Sequence, residues 1–263
     1  MTNVAVVCLG LATIGCSDKD PDDPTNDSGG FWVVGERGAV LNVSAEDSVD
    51  EPSPEAADLA AISCYGNDRA WFVGANGVAS TTEDGGKNWS RLDLGVSSNL
   101  HDVASSDPLR VAIAGDEGTL LLSADGHEFH AVEGATGSLT GVDFSSEGLV
   151  AVAADGAIWA HQAGSDRAIE VARFEAPLHA VDFGDHTPIG AAVGDNGLLV
   201  WSEDGGYTWT QRATTSEQHL RAVQVSMSGN EAIAVGDAGV VVRITGQSIE
   251  AETVALVDLE AVH

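Results

Sequence analysis

The chain repeats itself about every 40 residues, and that period constrains its fold more than any other feature of the sequence. A Leu followed three residues later by Val or Ile recurs as Leu59/Ile62, Leu100/Val103, Leu139/Val142, Leu178/Val181, Leu220/Val223 and Leu259/Val262. Successive leucines lie 41, 39, 39, 42 and 39 residues apart. A Gly-x-x-Gly turn after an apolar run recurs as Gly35/Gly38, Gly74/Gly77, Gly115/Gly118, Gly194/Gly197 and Gly236/Gly239. The sixth copy is Ala153-Ala154-Asp155-Gly156, with alanine for the first glycine. Two independent landmarks on one period suit one four-stranded propeller blade per repeat. The 31 Gly, the frequent Val and Ala and the 2 Met agree with short strands joined by tight turns.

Each unit divides into strands A to D. Leu178–Phe183 reads as strand A, Ile189–Val193 as strand B running into the turn, and Leu198–Trp201 as strand C. A polar hairpin then leads to strand D near Trp209. That hairpin carries the most specific signal. Ser202-Glu203-Asp204-Gly205-Gly206-Tyr207-Thr208-Trp209 fits the Asp-box pattern Ser-x-Asp-x-Gly-x-Thr-Trp, and Thr82, Asp84, Gly86 and Trp89 place a second box at residues 82–89. Residues 123–129 hold a degenerate third copy around Asp125. The carboxylate can accept backbone N–H bonds across the turn while the Trp packs between blades, so the box is expected to be a folding device.

On these motifs residues 31–263 resemble the Asp-box (BNR) propellers, and among them the photosystem II assembly/stability factor family, whose repeat is Leu-x-x-Val-x-Phe, Val-Gly-x-x-Gly and Ser-x-Asp-Gly-Gly-x-x-Trp. The resemblance implies an all-β, six-bladed β-propeller of four-stranded antiparallel blades and a non-catalytic binding role. The domain starts on a strand B (Phe31–Val34) and stops on a strand A (Leu259–Val262). The expected closure therefore pairs the C-terminal inner strand with the N-terminal outer strands, which removes an open sheet edge.

The domain is preceded by two unlike segments. Residues 1–16 hold an apolar run, Val4–Ile14, too short for a membrane span, and end in Gly15-Cys16. This resembles a bacterial lipoprotein signal peptide, which implies lipidation of Cys16 and an address at the cell envelope: an outer-membrane lipoprotein, or a protein secreted to the periplasm or cell surface. Residues 17–30 have no apolar side chain and read as an acidic tether. With Cys8 and Cys16 assigned to the leader and the anchor, Cys64 is expected as a buried free thiol. The net charge of −30 excludes nucleic-acid binding through a basic surface.

In a propeller the residue after each strand-A Leu lines the channel mouth: Glu260, Ala60, His101, Thr140, His179 and Arg221. His101, His179, Arg221 and Glu260 are the candidate ligand-binding set, suited to a small anion or zwitterion, although a wet channel mouth alone also calls for polar side chains. The B-to-C turns add Glu36, Asp116, Glu117, Asp155, Asp195 and Asp237 on the same face. These acids are candidates to attract Ca²⁺ or a basic partner, though Asp beside Gly is also ordinary turn chemistry. No metal-loop spacing, cofactor motif, Gly-x-Ser-x-Gly elbow or phosphate loop is present. The first expectation is a monomeric, non-enzymatic binding or scaffold propeller at the envelope, with a protein or glycan partner. An assembly factor and a sialidase relative are the alternatives, the latter lacking the family's Phe-Arg-Ile-Pro motif.

Overall fold

The computed structural model describes residues 13–15, 31–43, 48–50, 55–66, 68–184, 187–254 and 257–259. These form 24 strands in six four-stranded antiparallel sheets. Sheet 1 comprises β1 (Thr13–Gly15), β2 (Phe31–Val34), β3 (Val40–Val43) and β4 (Ser48–Asp50). Sheet 2 comprises β5 (Leu59–Tyr65), β6 (Arg69–Gly74), β7 (Ala79–Thr82) and β8 (Ser90–Arg91). Sheet 3 comprises β9 (Leu100–Ser105), β10 (Val111–Gly115), β11 (Leu120–Ser123) and β12 (Phe129–Ala131). Sheet 4 comprises β13 (Leu139–Ser145), β14 (Gly148–Ala153), β15 (Ala157–Gln162) and β16 (Ala168–Arg173). Sheet 5 comprises β17 (Leu178–Phe183), β18 (Gly190–Gly194), β19 (Leu199–Ser202) and β20 (Thr210–Arg212). Sheet 6 comprises β21 (Leu220–Val225), β22 (Glu231–Gly236), β23 (Val240–Thr245) and β24 (Ser248–Thr253).

Leu59, Leu100, Leu139, Leu178 and Leu220 each open an inner strand, and β1, β5, β9, β13, β17 and β21 pack successively, each against the next. The second strand of a sheet is buried on both faces, so its residues alternate between two interfaces. On β6, Trp71 and Val73 face sheet 3 while Ala70 and Phe72 face sheet 1. On β18, Ala191 and Val193 face sheet 6 while Ala192 faces sheet 4. The core is thus a chain of inter-sheet interfaces, not one central cluster.

The expected closure is overturned. The inner position of sheet 1 is held by β1, with Thr13 opposite Val34, Ile14 opposite Val33 and Gly15 opposite Trp32. No strand pairing joins sheet 6 to sheet 1 among the described residues, and no sheet closes on itself. Leu259 instead docks on sheet 6 beside Val235, Val241 and Ala222, and its N–H donates to the Gly236 carbonyl at 3.0 Å. Leu59 makes the same bond to Gly35. The repeat leucine therefore answers to the sheet before it, and the β2 edge was already taken by a segment nearer in sequence. Residues 260–263, 1–12 and 16–30 lie outside the described set, so Glu260, the apolar run before Thr13, Cys16 and the tether do too.

Cys64 on β5 is disulfide-bonded, not the free thiol expected. The chain's other two cysteines are Cys8 and Cys16. The Gly-x-x-Gly turns also differ from simple hairpins. Each is a short 3₁₀ turn whose middle residue has a positive φ without being glycine: Arg37, Asn76, Glu117, Asn196 and Ala238, at φ 54–59°.

Candidate functional site

The B-to-C turns and the starts of the inner strands share one face. A periodic contact joins them: Asp58, Asn99, His219 and Asp258, each just before a repeat leucine, reach the turn of the preceding sheet. The Arg37 N–H donates to Asp58 Oδ1 at 2.9 Å, the Asn76 N–H to Asn99 Oδ1 at 3.1 Å, and the Ala238 N–H to Asp258 Oδ1 at 2.8 Å. The Asn196 N–H points at His219 Nδ1 at 3.3 Å. These side chains cap a turn donor that has no strand partner.

The mouth residues meet the turn acids of their own sheets. His101 Nε2 lies 2.8 Å from Asp116 Oδ1, which also accepts from Ser138 Oγ at 2.6 Å, and Asn99 Nδ2 donates to Asp116 Oδ2 at 3.1 Å. His179 Nε2 lies 2.7 Å from Asp195 Oδ1, as does His219 Nδ1. Arg221 grips Asp237 with Nε to Oδ1 at 2.8 Å and Nη2 to Oδ2 at 3.0 Å. Arg221 Nη1 also stands 3.3 Å from His179 Nε2. Sheets 3, 5 and 6 thus repeat one pairing of a side-chain nitrogen with a turn carboxylate, while sheet 2 has Ala60 and Ala75 at the two positions. Thr140 departs from this scheme, donating to the Leu178 carbonyl at 2.8 Å and so tying sheet 4 to sheet 5.

These contacts set the charge of the carboxylates. Hydrogen bonds from Ser138 and then His101 hold Asp116 below the ordinary carboxylate range. The Arg221 fork does the same for Asp237. At Asp195 burial pushes the carboxyl up, but the His179 hydrogen bond and the charges of His179, His219 and Arg221 outweigh it. Asp155 is drawn outward instead, 2.8 Å from Arg173 Nη1, and is lowered by that bond. His101, His179 and Arg221 of the expected ligand-binding set are therefore paired with Asp116, Asp195 and Asp237 of the expected turn acids. His179, His219 and Arg221 come together between sheets 5 and 6, and His101 forms a separate cluster with Ser138. No group of three metal-binding side chains is present among the described residues.

A second layer lies deeper in the channel. Asp102 Oδ2 accepts the Val142 N–H at 2.8 Å, Asp143 Oδ2 the Phe183 N–H at 2.7 Å, and Asp182 Oδ2 the Val225 N–H at 2.6 Å. Each carboxyl belongs to one inner strand and each amide to the next. Burial pushes Asp102 up to about 7, against the two amides that favour its charged form. Burial, and next the charge of Asp182, push Asp143 well above the carboxylate range.

The opposite face carries the Asp-box hairpins. Thr82 Oγ1 accepts the Gly86 N–H at 3.0 Å and donates to Asp84 Oδ1 at 2.9 Å, and Asp84 in turn accepts the Asn88 N–H at 2.9 Å. Ser202, Asp204, Gly206 and Thr208 repeat the arrangement at 2.9, 3.0 and 2.9 Å. Trp89 packs on Trp32 and Phe72, and Trp209 packs on Phe183. Gly86 has φ +84°, and a Cβ there would sit 2.1 Å from the Trp32 ring of the preceding sheet. The box is an internal brace with no side chain left for chemistry.

The family described as "Photosynthesis system II assembly factor YCF48" matches residues 23–170 and 160–258. The chain belongs to that family. Membership makes it a non-catalytic propeller of the assembly-factor kind, which sets the sialidase alternative aside. Solved structures that share the fold include two of YCF48 and one WD40 propeller. "YCF48 bound to D1 peptide" is 19% identical with a TM-score of 0.65, covering 84% of this chain and 76% of that one. "YCF48 from Cyanidioschyzon merolae" is 20% identical with a TM-score of 0.69, covering 95% and 87%. The WD40 β-propeller domain of Doa1 is 14% identical with a TM-score of 0.74, covering 95% and 84%. No curated protein matches the chain.

Two parts of the mouth escaped the sequence reading. The capping residues Asn99, Ser138 and His219 had a signal, a polar residue ahead of the repeat leucine. The channel acids had none, because Asp102 sits two residues after its leucine while Asp143 and Asp182 sit four after theirs.

Proposed function

We propose that this propeller is a binding module of the assembly-factor type, and that it takes a basic polypeptide segment on the face formed by the B-to-C turns and the inner-strand starts. One observation carries the reading. Among the described residues that face holds Glu36, Asp58, Asp116, Glu117, Asp155, Asp195, Asp237 and Asp258, with Arg37, Arg221, the Arg173 that reaches Asp155, and the imidazoles of His101, His179 and His219 as its basic groups. Its guanidinium at the mouth is already neutralised by a carboxylate, so an anion finds little to bind. A Lys- or Arg-bearing segment finds a field of its opposite sign. Family membership supports a protein partner, and one structure of the same fold holds a peptide by its description.

The test is fluorescence anisotropy with a labelled lysine-rich peptide and its glutamate counterpart. The lysine peptide should bind, and binding should weaken about tenfold as salt is raised through the physiological range. Glu36→Lys with Glu117→Lys should abolish it without lowering thermal stability, since both side chains are exposed. Preference for the glutamate peptide would refute the proposal.

The address belongs to the same proposal. The Gly15-Cys16 pattern behind an apolar run supports lipid anchoring at a cell envelope. Processing before Cys16 would remove Thr13–Gly15, the inner strand of sheet 1, and processing with lipidation of Cys16 would leave Cys64 no cysteine to pair with. The mass of the mature chain therefore distinguishes an anchored protein starting at a diacylated Cys16 from one that keeps β1.

A further inference from the structure

The six sheets make five interior interfaces of one kind, in which the forward face of one sheet packs on the backward face of the next. Two faces are left over. On the forward side the second-strand positions Trp32, Trp71, Ala112, Val150 and Ala191 are each 3% exposed or less, but their counterpart on sheet 6, Ile233, is 38% exposed. Below it opens a cleft of about 540 Å³ lined by Gln224, Met227, Glu231 and Ile233, with Met227 at its rim. On the backward side Phe72, Ile113, Ala151, Ala192 and Ala234 are each 0% exposed, while the counterpart on sheet 1, Val33, is only partly buried. Leu41, paired with Val33 across β2 and β3, is partly buried too, whereas Leu121, Val200 and Val242 at the same place are buried.

We infer that these two faces are the halves of a sixth interface, made between two copies of this chain: the forward face of sheet 6 on one copy against the backward face of sheet 1 on another. The inference continues an interface the chain already makes five times, and it does not depend on the peptide-binding reading. An occupant of the sheet-6 face must present what sheets 2 to 6 present to their predecessors, an apolar second and third strand. Val33 and Leu41 present such a surface, and no neighbouring sheet covers it among the described residues. The contact is head-to-tail, with different patches on the two partners. It departs from the monomer expected from the sequence. The net charge of −30 on each copy opposes association, so salt should promote it.

Sedimentation velocity on the full chain tests this. The mean mass should rise with protein concentration and rise further with salt. Ile233→Asp and Leu41→Asp should each abolish the rise, because each destroys one half of the interface. An equimolar mixture of the two variants should recover a dimer and nothing larger, since each retains the half that the other has lost. Both positions are already partly exposed, so the variants should melt like the parent; the concentration and salt dependence of the parent stands as a readout if either does not. A parent chain that stays monomeric throughout, single variants that still associate, or a mixture that fails to dimerise would each overturn the inference.

Discussion

Trp71→Ala is expected to destabilise the protein by about 4 kcal/mol. The indole is buried between sheets 2 and 3, against Leu100, Val103, Val111 and Ile113. Its Nε1–H donates at 2.9 Å to the carbonyl of Gly126, in the Asp-box-like hairpin of sheet 3. Truncation leaves a cavity that a rigid sheet pair cannot collapse, and it strands a buried carbonyl. Trp71→Phe separates the two effects: it keeps most of the ring contact, loses the hydrogen bond and should cost about 1–2 kcal/mol. Denaturant titration of both variants checks this. A loss below about 1 kcal/mol for the alanine variant would mean that sheets 2 and 3 are not packed as described.

The second large effect is on pH. Asp102 is raised from the ordinary carboxylate value to about 7 because it is buried, with Asp143 and Asp182 further along the channel and His101 beside it. A carboxyl with a raised native value favours the fold when protonated. Its contribution is complete below the ordinary carboxylate range and is lost as pH climbs through about 7. The shift corresponds to about 2–4 kcal/mol between pH ~4 and pH ~8, allowing for partial solvation of the channel. Asp116, Asp155 and Asp237 act in the other direction, because their lowered values mean that stability is lost as pH falls below the carboxylate range. The optimum should therefore lie on the mildly acidic side of neutrality. Asp102→Asn removes the charge and keeps a carbonyl acceptor for one of the two amides, Val103 on Oδ1 and Val142 on Oδ2, while its amide nitrogen meets the other. Thermal melts should show the variant gaining stability relative to the parent throughout the rise from pH ~4 to pH ~8. An advantage that does not change with pH would show that Asp102 is not the titrating group.

The repeat landmarks made most of the fold legible, because each has a local physical cause. The leucine must dock on the preceding sheet, the final glycine must take a positive φ, and the Asp-box must bridge its own hairpin. All three depend on residues within one repeat or the next. The closure was not legible for the same reason. A strand-A motif at Leu259 says where the strand begins and not which edge it joins, and Thr13–Gly15 carries none of the repeat's markers. The mouth was legible as a list of positions but not as chemistry. His101, His179 and Arg221 lie 15 or 16 residues from Asp116, Asp195 and Asp237, and only the sheet register brings each pair within bonding distance. Side-chain size also followed the boxes in a way that is plain only in three dimensions. Trp32, Trp71 and Val150 stand before sheets that carry a box or its remnant, where a glycine leaves room for them. Ala112 and Ala191 stand before sheets without one.

Hydrogen–deuterium exchange on the full chain, with and without a lysine-rich peptide, tests the binding face most directly. The account predicts slowed exchange in the turns at residues 116–118, 195–197 and 237–239, and none in the Asp-box hairpins at 83–88 and 203–208. Protection confined to those hairpins, or no protection at peptide concentrations that saturate the anisotropy signal, would contradict it.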